Sequence, residues 1–203
     1  FILEATDACG AKKRDTAVIN VTINTPPTAN AGADQTLFQC SSALISWAAS
    51  CADINGNLSS CALVAGPGAY NGTSISFTPT ASGSYSFILE AIDACGTAKR
   101  DTAVITVTIN SVPTANAGAD QTLFQCSPAL ISWAASCADI DGNLSNCALV
   151  SGTGTYNGTS ISFTPSASGS YSFILEATDA CGATKRDTAT INVTINTPPT
   201  ANA

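Results

Sequence analysis

Cysteine is the residue type in this sequence with the clearest chemistry. The chain of 203 residues contains nine cysteines and no histidine. A cysteine thiol can form a disulfide, bind zinc or act as a nucleophile, and its neighbours decide between these roles. Because the chain has neither a CxxC pair nor a histidine, zinc is the weaker interpretation. We predict disulfides and an oxidising compartment. The nine positions are Cys9, Cys40, Cys51, Cys61, Cys95, Cys126, Cys137, Cys147 and Cys181.

Two short loops, ADINGN and ADIDGN, have the residue spacing of a cation site. Asp53, Asn55 and Asn57 alternate along the first loop, as oxygen ligands do around a hard cation such as Ca²⁺. In the second loop, Asp139 and Asp141 supply one more carboxylate. A glycine at the fourth place of the loop and the lack of a following bidentate glutamate favour an ordinary tight turn instead. Calcium remains the alternative for these residues.

Six asparagines stand in the N-x-[ST] context of glycosylation acceptors. They fall at a hairpin tip, in a loop and on the outward side of the final strand, where a glycan would point into solvent. Such triplets also arise by chance in a chain rich in asparagine and threonine, so covalent glycans and chance both stay open. The six positions are Asn20, Asn57, Asn71, Asn143, Asn157 and Asn192.

The usual constellations of catalysis are missing. Serines are abundant, but there is no histidine to act as a base beside them, and glutamates are few. A nucleophilic triad therefore has no candidate, and no set of residues fits another reaction class. We expect no enzymatic activity and no cofactor.

Charge and composition exclude further classes. The net charge is −7 and the pI about 4.2, which disfavours nucleic acid and anionic membranes as partners. No apolar run reaches the roughly 20 residues of a membrane helix, so membrane insertion is not expected. Hydrophobic residues make up 45% of the chain, enough for packed cores, and charged residues only 10%. This balance suits an extracellular or cell-surface protein.

The sequence repeats with a period of 86 residues. Phe1 aligns with Phe87 and Phe173, and Trp47 aligns with Trp133. Residues 1–86 and 87–172 differ at 13 positions. A tandem array of near-identical units follows from this register.

The differences between copies fall on one face of each predicted strand. Along AVITVTI, Ala103, Ile105 and Val107 are constant, whereas Val104 and Thr106 are replaced in other copies. Side chains alternate across a β-sheet, so we predict that the constant face forms the core. Trp47 and Trp133 lie in apolar strands, and we interpret them as core residues rather than sugar-stacking aromatics.

Each repeat contains several short strand-like runs and no helical period. Asn71-Gly72 and Asn157-Gly158 predict hairpin turns with positive φ at both central residues. Many short strands in a unit of this size predict an all-β sandwich. The runs in the first repeat are 35–38, 43–49, 61–64, 73–79, 84–92 and 101–109.

Proline-containing joints mark the domain boundaries. We expect two complete domains, 25–110 and 111–196, followed by a linker, 197–203, to a further repeat. Residues 1–24 match only the last two strands of a repeat, so we expect the C-terminal hairpin of a preceding repeat within a longer array. Alone, this hairpin would expose an apolar face and be marginally stable. That face comprises Phe1, Leu3, Ala17, Ile19, Val21 and Ile23.

The phrases PTANAGADQTL, ADINGN, ASGSYSFILEAIDACG and DTAVITVTI resemble PKD-type, bacterial immunoglobulin-like domains of surface proteins. The resemblance spans each whole repeat. It implies tandem immunoglobulin-like (PKD-like) β-sandwiches that serve as spacers, stalks or carbohydrate-adjacent modules without catalysis of their own.

The disulfide pairing has two interpretations. In an immunoglobulin-like topology Cys51, Cys61 and Cys95 gather at one pole of the domain, with Cys40 nearer the other. We expect two bridges inside each domain. The alternative pairs Cys40 with the following domain, which would link the array covalently.

All seven cations lie in the turn of the last hairpin of each copy. They pair with the neighbouring aspartates Asp15, Asp101 and Asp187, or they meet acidic groups of an adjoining domain and set register. The seven are Lys12, Lys13, Arg14, Lys99, Arg100, Lys185 and Arg186.

Together these features predict a structural repeat of an extracellular fibre or cell-surface stalk, with mechanical spacing as its function. Self-association into a filament, through copies of itself or adjoining repeats, is the stronger form of this prediction. The alternative is an adhesin-type module whose repeats bind glycans or a cell surface.

Overall fold

The computed structural model describes residues 1–202, and within that range the regular structure consists of β-strands without a helix. The predicted all-β class is therefore confirmed. The described chain forms two compact units. The first contains residues 1–37 and 43–107, and the second contains residues 38–42 and those from 108 onwards. A membrane-spanning helix is absent from residues 1–202.

The same strands follow in the same order in both sequence repeats. A leading hairpin contains β1 (Ile2–Thr6) and β2 (Lys12–Thr16). The first repeat contains β3 (Thr28–Asn30), β4 (Gln35–Gln39), β5 (Ile45–Ala48), β6 (Ser50–Ala52), β7 (Leu58–Ala65), β8 (Ala69–Tyr70), β9 (Ser74–Phe77), β10 (Gly83–Asp93) and β11 (Ala98–Ile109). The second contains β12 (Thr114–Asn116), β13 (Gln121–Gln125), β14 (Ile131–Ala134), β15 (Ser136–Ala138), β16 (Leu144–Ser151), β17 (Thr155–Tyr156), β18 (Ser160–Phe163), β19 (Gly169–Asp179) and β20 (Thr184–Ile195). The predicted runs correspond to β4, β5, β7, β9, β10 and β11. The strands β3, β6 and β8, of two or three residues each, are too short to show a period in the sequence.

The second unit is a β-sandwich. Its larger sheet has the order β13-β20-β19-β16, and its smaller sheet has the order β14-β18-β17. Strands β13 and β20 pair in parallel, whereas β19 pairs antiparallel with β20 and β16. Apolar side chains from both sheets meet in one core, which is what defines a sandwich. The first sequence repeat has the same orders, as β4-β11-β10-β7 and β5-β9-β8.

The long hairpin β19–β20 supplies most of the core of the second unit. Phe173, Leu175 and Ala177 alternate along β19, and Ala189 and Ile191 alternate along β20, all fully buried. These are the positions that do not vary between copies. The predicted core face is therefore confirmed, because burial on one side of a strand constrains every second residue.

Each sandwich has one tryptophan in its core. The ring centroid of Trp133 lies 5.0 Å from that of Phe173 and 6.0 Å from that of Phe163. Its indole Nε1–H donates to the carbonyl of Ala117 over 2.7 Å, so the polar atom of the side chain is satisfied. Trp47 makes the matching contacts in the first unit. The interpretation of both residues as core is confirmed.

The hairpins at Asn71-Gly72 and Asn157-Gly158 are present, but their turn type differs from the prediction. Gly158 has φ +100°, whereas Asn157 does not have a positive φ. The Asn157 Oδ1 accepts hydrogen bonds from the backbone N–H groups of Thr159 and Ser160. This side-chain bonding closes a longer loop in which only the glycine needs the left-handed region.

The leading hairpin is the least enclosed part of the chain. Every residue from 1 to 23 is exposed, including the apolar face expected from the sequence. Its second strand ends at Thr16, earlier than the equivalent β11. In the complete repeat, residues 104–107 of β11 pair with residues 83–86 of β10, and the hairpin has no equivalents of the latter. That another segment completes it stays a prediction.

Candidate functional site at the repeat joint

The most elaborate polar arrangement in each unit lies where one sequence repeat leads into the next. In the second unit it consists of Asn110, which ends the first repeat, with Asn143 and Asp179 of the second repeat. We call this arrangement the Asn–Asp clasp. In the first unit the clasp consists of the equivalent residues Asn24, Asn57 and Asp93.

The clasp holds both ends of one asparagine amide. In the second unit the Asn110 Nδ2 donates to Asp179 Oδ2 over 2.8 Å, and its Oδ1 accepts from Asn143 Nδ2 over 2.6 Å. In the first unit Asn24 makes both bonds, to Asp93 and Asn57, over 2.8 Å. Since an amide with both ends bonded has one orientation, the clasp fixes the chain as it enters the repeat.

The carboxylate of the clasp also organises a turn. Asp179 is buried, and its Oδ1 accepts the backbone N–H of Ala183 over 2.8 Å, within the turn between β19 and β20. The hydrogen bond from Asn110 and those from the turn backbone lower the pKa of Asp179 despite its burial, which acts in the opposite direction. Asp93 has its pKa lowered in the same way, first of all by Asn24. Both carboxylates are therefore held in the ionised form.

The loops proposed as cation sites serve the same joint. Asp53 Oδ1 accepts the backbone N–H of Asn55 over 2.7 Å, and Asp139 Oδ1 accepts that of Asp141 over 2.8 Å. These are the side-chain bonds of an ordinary Asx turn. Asn55 Oδ1 then accepts the backbone N–H of Thr25 over 2.8 Å. Residues 1–202 contain no cluster of three or more His, Cys, Asp or Glu able to hold a metal. Calcium binding at Asp53, Asn55, Asp139 and Asp141 stays an untested prediction.

A disulfide joins the two sequence repeats at this joint. Cys40 is bonded to Cys181, with the Sγ atoms 2.02 Å apart and the Cα atoms 5.4 Å apart. The expectation of two bridges inside each domain is therefore wrong, and the alternative pairing of Cys40 with the following domain is the one observed. Both cysteines belong to the second compact unit, since segment 38–42 does.

The joint itself explains this pairing. The carbonyl of Gln39 accepts the backbone N–H of Asn110 over 2.9 Å, so Cys40 lies beside the end of its own repeat. Asn110 is clasped by Asp179, two residues before Cys181. These backbone and side-chain hydrogen bonds bring the two cysteines together. They connect residues of different repeats, so a single repeat considered alone does not contain them.

The remaining bridges lie inside single repeats. Cys51 on β6 pairs with Cys61 on β7, and Cys137 pairs with Cys147 in the same way. Each closes the short connection between neighbouring strands. The three other cysteines of the described chain, Cys9, Cys95 and Cys126, are unpaired and exposed.

The three arginines and Lys12 pair locally, but not with the expected aspartates. Arg100 Nε lies 2.5 Å from Glu90 Oε2 on the neighbouring strand, and Arg186 and Glu176 make the same pair. In the leading hairpin Lys12 and Arg14 both bond Glu4, and they lower its pKa. Asp101 and Asp187, expected as partners, instead accept the backbone N–H groups of Ala31 and Ala117. Contact of the cations with an adjoining domain stays a prediction.

The candidate glycosylation sites divide into two groups. Asn20, Asn71, Asn157 and Asn192 are exposed. Asn57 and Asn143 are half-buried, and their Nδ2 atoms donate to the clasp asparagines. A glycan on that nitrogen would remove a donor hydrogen and crowd the clasp. Whether any site is modified stays a prediction.

The sequence singled out Asn57 and Asn143 for other reasons, as glycosylation acceptors, and did not single out Asn110 or Asp179. Asn110 and Asp179 lie 69 residues apart and read as ordinary strand-end and turn residues. The available signal was the recurrence of Asp before Ala-Cys-Gly in every copy, at Asp7, Asp93 and Asp179.

Comparison with known proteins agrees with this architecture. Residues 110–194 match the family model described as the bacterial Ig domain. The second repeat is therefore a bacterial immunoglobulin-like domain. The first repeat differs from it at 14 of 86 positions and has the same strand order.

Solved structures show the same fold at low sequence identity. The chain is similar to the extracellular cadherin domains 1–5 of protocadherin gamma B2, with 12% identity and a TM-score of 0.59, covering 97% of this chain and 46% of that one. The protocadherin gamma B4 extracellular domain is 14% identical with a TM-score of 0.57, and the match covers 95% of this chain and 37% of that one. Domains 1–4 of protocadherin gamma B7 are 14% identical with a TM-score of 0.56, and the match covers 84% of this chain and 51% of that one. This chain thus spans about half or less of those chains. No curated protein matches.

Proposed function

We propose that this chain is a non-catalytic structural segment of an extracellular fibre or cell-surface stalk, in which tandem immunoglobulin-like domains act as spacers and associate with further copies into a filament. The observation that carries the proposal is the Cys40–Cys181 bridge, which links consecutive repeats covalently. The bridge fastens a segment of the first repeat into the folded second unit, so pulling on the chain cannot detach that segment without breaking a covalent bond.

Three further features support this function. The clasp forms in both units with the same residue types, so the chain enters each repeat in the same way. The three disulfides favour an oxidising location outside the cytosol. The chain also lacks the histidine that most acid–base and nucleophilic chemistry requires.

Negative-stain electron microscopy of the purified chain tests the filament. We expect filaments with a longitudinal repeat at high protein concentration under oxidising conditions. The matched control is the chain with Asn24→Ala and Asn110→Ala, which loses both clasps and is expected to give shorter or fewer filaments. Isolated particles without longitudinal order at every concentration would overturn the filament proposal.

An adhesin is the second candidate, because large apolar side chains remain on the surface. Phe124 is 66% exposed on β13, and Ile140 is 88% exposed at the tip of its loop. Exposed aromatic rings can stack on sugars. Glycan-array binding that is lost in Phe124→Ala but retained in Leu130→Ala, another exposed residue, would favour this candidate over the spacer.

A further inference from the structure

Two of the unpaired cysteines occupy the repeat positions of the two that form the inter-repeat bridge. Cys126 follows Cys40 by one period, and Cys95 precedes Cys181 by one period. The local sequences are also the same, with TLFQC before the first pair and DACG around the second. Each repeat therefore carries one cysteine of each type. We call them the strand-end cysteine (Cys40, Cys126) and the turn cysteine (Cys9, Cys95, Cys181).

The strand-end cysteine is presented in the same way in both repeats. β13 ends at Gln125, whose carbonyl accepts the backbone N–H of Asn196 over 2.8 Å. In the same way, the carbonyl of Gln39 accepts the backbone N–H of Asn110 over 2.9 Å. Cys126 follows directly and is exposed, as Cys40 is. Its thiol is thus held beside the end of its repeat without a partner.

The turn cysteine has a receiving site that exists without the bridge. Around Cys95 the clasp of Asn24, Asn57 and Asp93 is fully formed, and the Cys95 backbone N–H donates to Asp93 Oδ1 over 2.9 Å. The same clasp surrounds Cys181, where the bridge is present. Since the surroundings are the same with and without the disulfide, the turn cysteine is pre-organised to receive a strand-end thiol. This clasp is independent evidence that Cys95 is more than an exposed thiol.

We propose that Cys126 and Cys95 are open halves of the same cross-link, and that their partner is a further repeat of this sequence. Cys126 bonds the turn cysteine of a repeat that follows residues 111–196, and Cys95 bonds the strand-end cysteine of a repeat that precedes residues 25–110. Cys9 has the role of Cys95 one repeat earlier. The inference deepens the proposed fibre function and rests on its array of repeats.

The bond forms by thiol–disulfide exchange with a small oxidised thiol, RSSR, as the oxidant. The Cys126 thiolate attacks one sulfur of RSSR, giving a mixed disulfide and releasing RS⁻. The turn thiolate of the next repeat then attacks the Cys126 sulfur and releases the second RS⁻. Two protein thiols are oxidised by two electrons, RSSR is reduced, and the two protons end on the released thiols.

The test extends the full chain by one more copy of residues 111–196, inserted after residue 196, and equilibrates it with glutathione disulfide. Intact mass of the denatured monomer then counts the cysteines outside protein disulfides, as free thiols plus glutathione adducts. The original chain should show three, from Cys9, Cys95 and Cys126. The extension adds four cysteines, of which two pair within the repeat as Cys137 and Cys147 do. If the new turn cysteine bonds Cys126, only the new strand-end thiol replaces it, and the count stays at three. Without the cross-link it rises to five.

The variant Cys126→Ser in the extended chain changes the cysteine count in opposite directions, depending on whether the cross-link exists. If the cross-link exists, removing Cys126 frees the new turn cysteine and the count increases by one. If Cys126 is unbonded, the count decreases by one, and the proposal is overturned. A count of one in the original chain would also overturn it, because two of Cys9, Cys95 and Cys126 would then be paired with each other. Peptide mapping of Cys137–Cys147 shows that the repeats are folded in each variant.

This result is separable from the fate of the fibre. A thiol count of three with no filaments in the microscope would support the cross-link and overturn self-association. Filaments with a count of five would support the fibre and overturn the cross-link.

Discussion

The two oxygens of the Asp179 carboxylate have different partners. Oδ1 holds the turn between β19 and β20 through Ala183, and Oδ2 holds Asn110 at the entry to the repeat. One buried charge thus couples the local turn to the joint. Because every bond is donated to the carboxylate, the ionised form is favoured and the pKa is lowered.

The pH dependence of stability follows from this shift. A carboxyl group whose pKa is lower in the folded chain contributes fully above its unfolded pKa of about 4, and the contribution is lost as pH falls toward the folded pKa. We expect Asp179→Asn to reduce the unfolding free energy at pH 7 and to weaken its decline between about pH 5 and 2. Urea unfolding in a Trp47→Phe background, where Trp133 alone reports the second unit, measures this.

The control for that experiment is Asp93→Asn in the same background. It removes the equivalent carboxylate of the first unit and should leave the Trp133 transition unchanged. An unaltered pH slope in Asp179→Asn would show that the clasp carboxylate does not contribute to acid sensitivity.

Gly118 is required for a different reason, the close approach of Trp133. Its φ is +91°, and a Cβ added there would lie 2.6 Å from Trp133 Cδ1 and 2.8 Å from the carbonyl oxygen of Ala134. We expect Gly118→Ala to destabilise the second unit by about 2–4 kcal/mol, from backbone strain plus overpacking. Gly158→Ala, at φ +100° with no neighbour within 4 Å, isolates the cost of strain. Equal losses in the two variants, measured by Trp133 fluorescence in urea, would show that the contact with Trp133 is unimportant.

At the scale of elements, the same hairpin occurs in two environments. As β10–β11 and β19–β20 it is part of a sandwich, and its apolar face is buried. As β1–β2 it is exposed throughout. An isolated two-stranded hairpin is marginally stable in water. Packing against the rest of a sandwich, rather than the sequence of the hairpin, therefore decides whether the hairpin is stably folded.

Limited trypsin digestion should separate these environments. We expect rapid cleavage after Lys12, Lys13 or Arg14, and much slower cleavage after Arg100 and Arg186, which lie in packed sheets. The chain contains its own control because the residues around the sites are nearly the same. Mass spectrometry of a time course gives the rates, and equal rates at the three hairpins would contradict the expectation.

The bridge between β15 and β16 should stabilise only the second unit. Closing the short loop from Cys137 to Cys147 removes entropy from the unfolded chain worth about 3 kcal/mol. We therefore expect Cys137→Ser with Cys147→Ser to lower the unfolding free energy reported by Trp133 by about that amount. Cys126→Ser removes an exposed, unpaired cysteine and should change nothing. A double variant as stable as its parent would show that the bridge is strained or redundant.

The elements were largely predictable from the sequence, and the joint was not. Alternation of constant and variable residues predicted the buried face of β10 and β11, because burial constrains one side of a strand. The clasp was missed since Asn110 and Asp179 belong to different sequence repeats and meet only in the folded second unit. The preferred pairing of Cys40 within its own domain was wrong for the same reason, and the alternative pairing with the following domain is the one observed. Contacts that cross a repeat boundary leave no period within one repeat.

At the scale of the whole molecule, the sequence repeat and the compact unit are not the same segment. Residues 38–42 belong to the first repeat by sequence and to the second unit by structure. The disulfide from Cys40 to Cys181 is therefore internal to a unit while it spans 141 residues of sequence. Stability of the second unit thus depends on a short segment of the repeat before it.

The Cys40–Cys181 disulfide is a second covalent connection, besides the backbone, between two distant parts of the chain. A peptide bond hydrolysed anywhere between Cys40 and Cys181 leaves both fragments attached through sulfur. After trypsin cuts at Arg100, a non-reducing gel should still show one species, and dithiothreitol should divide it into two. A cut at Arg14 has no such bypass, since Cys9 is unpaired, and it should release its peptide at once. A chain cross-linked in this way can be cleaved by a protease between the two cysteines without separating into two pieces.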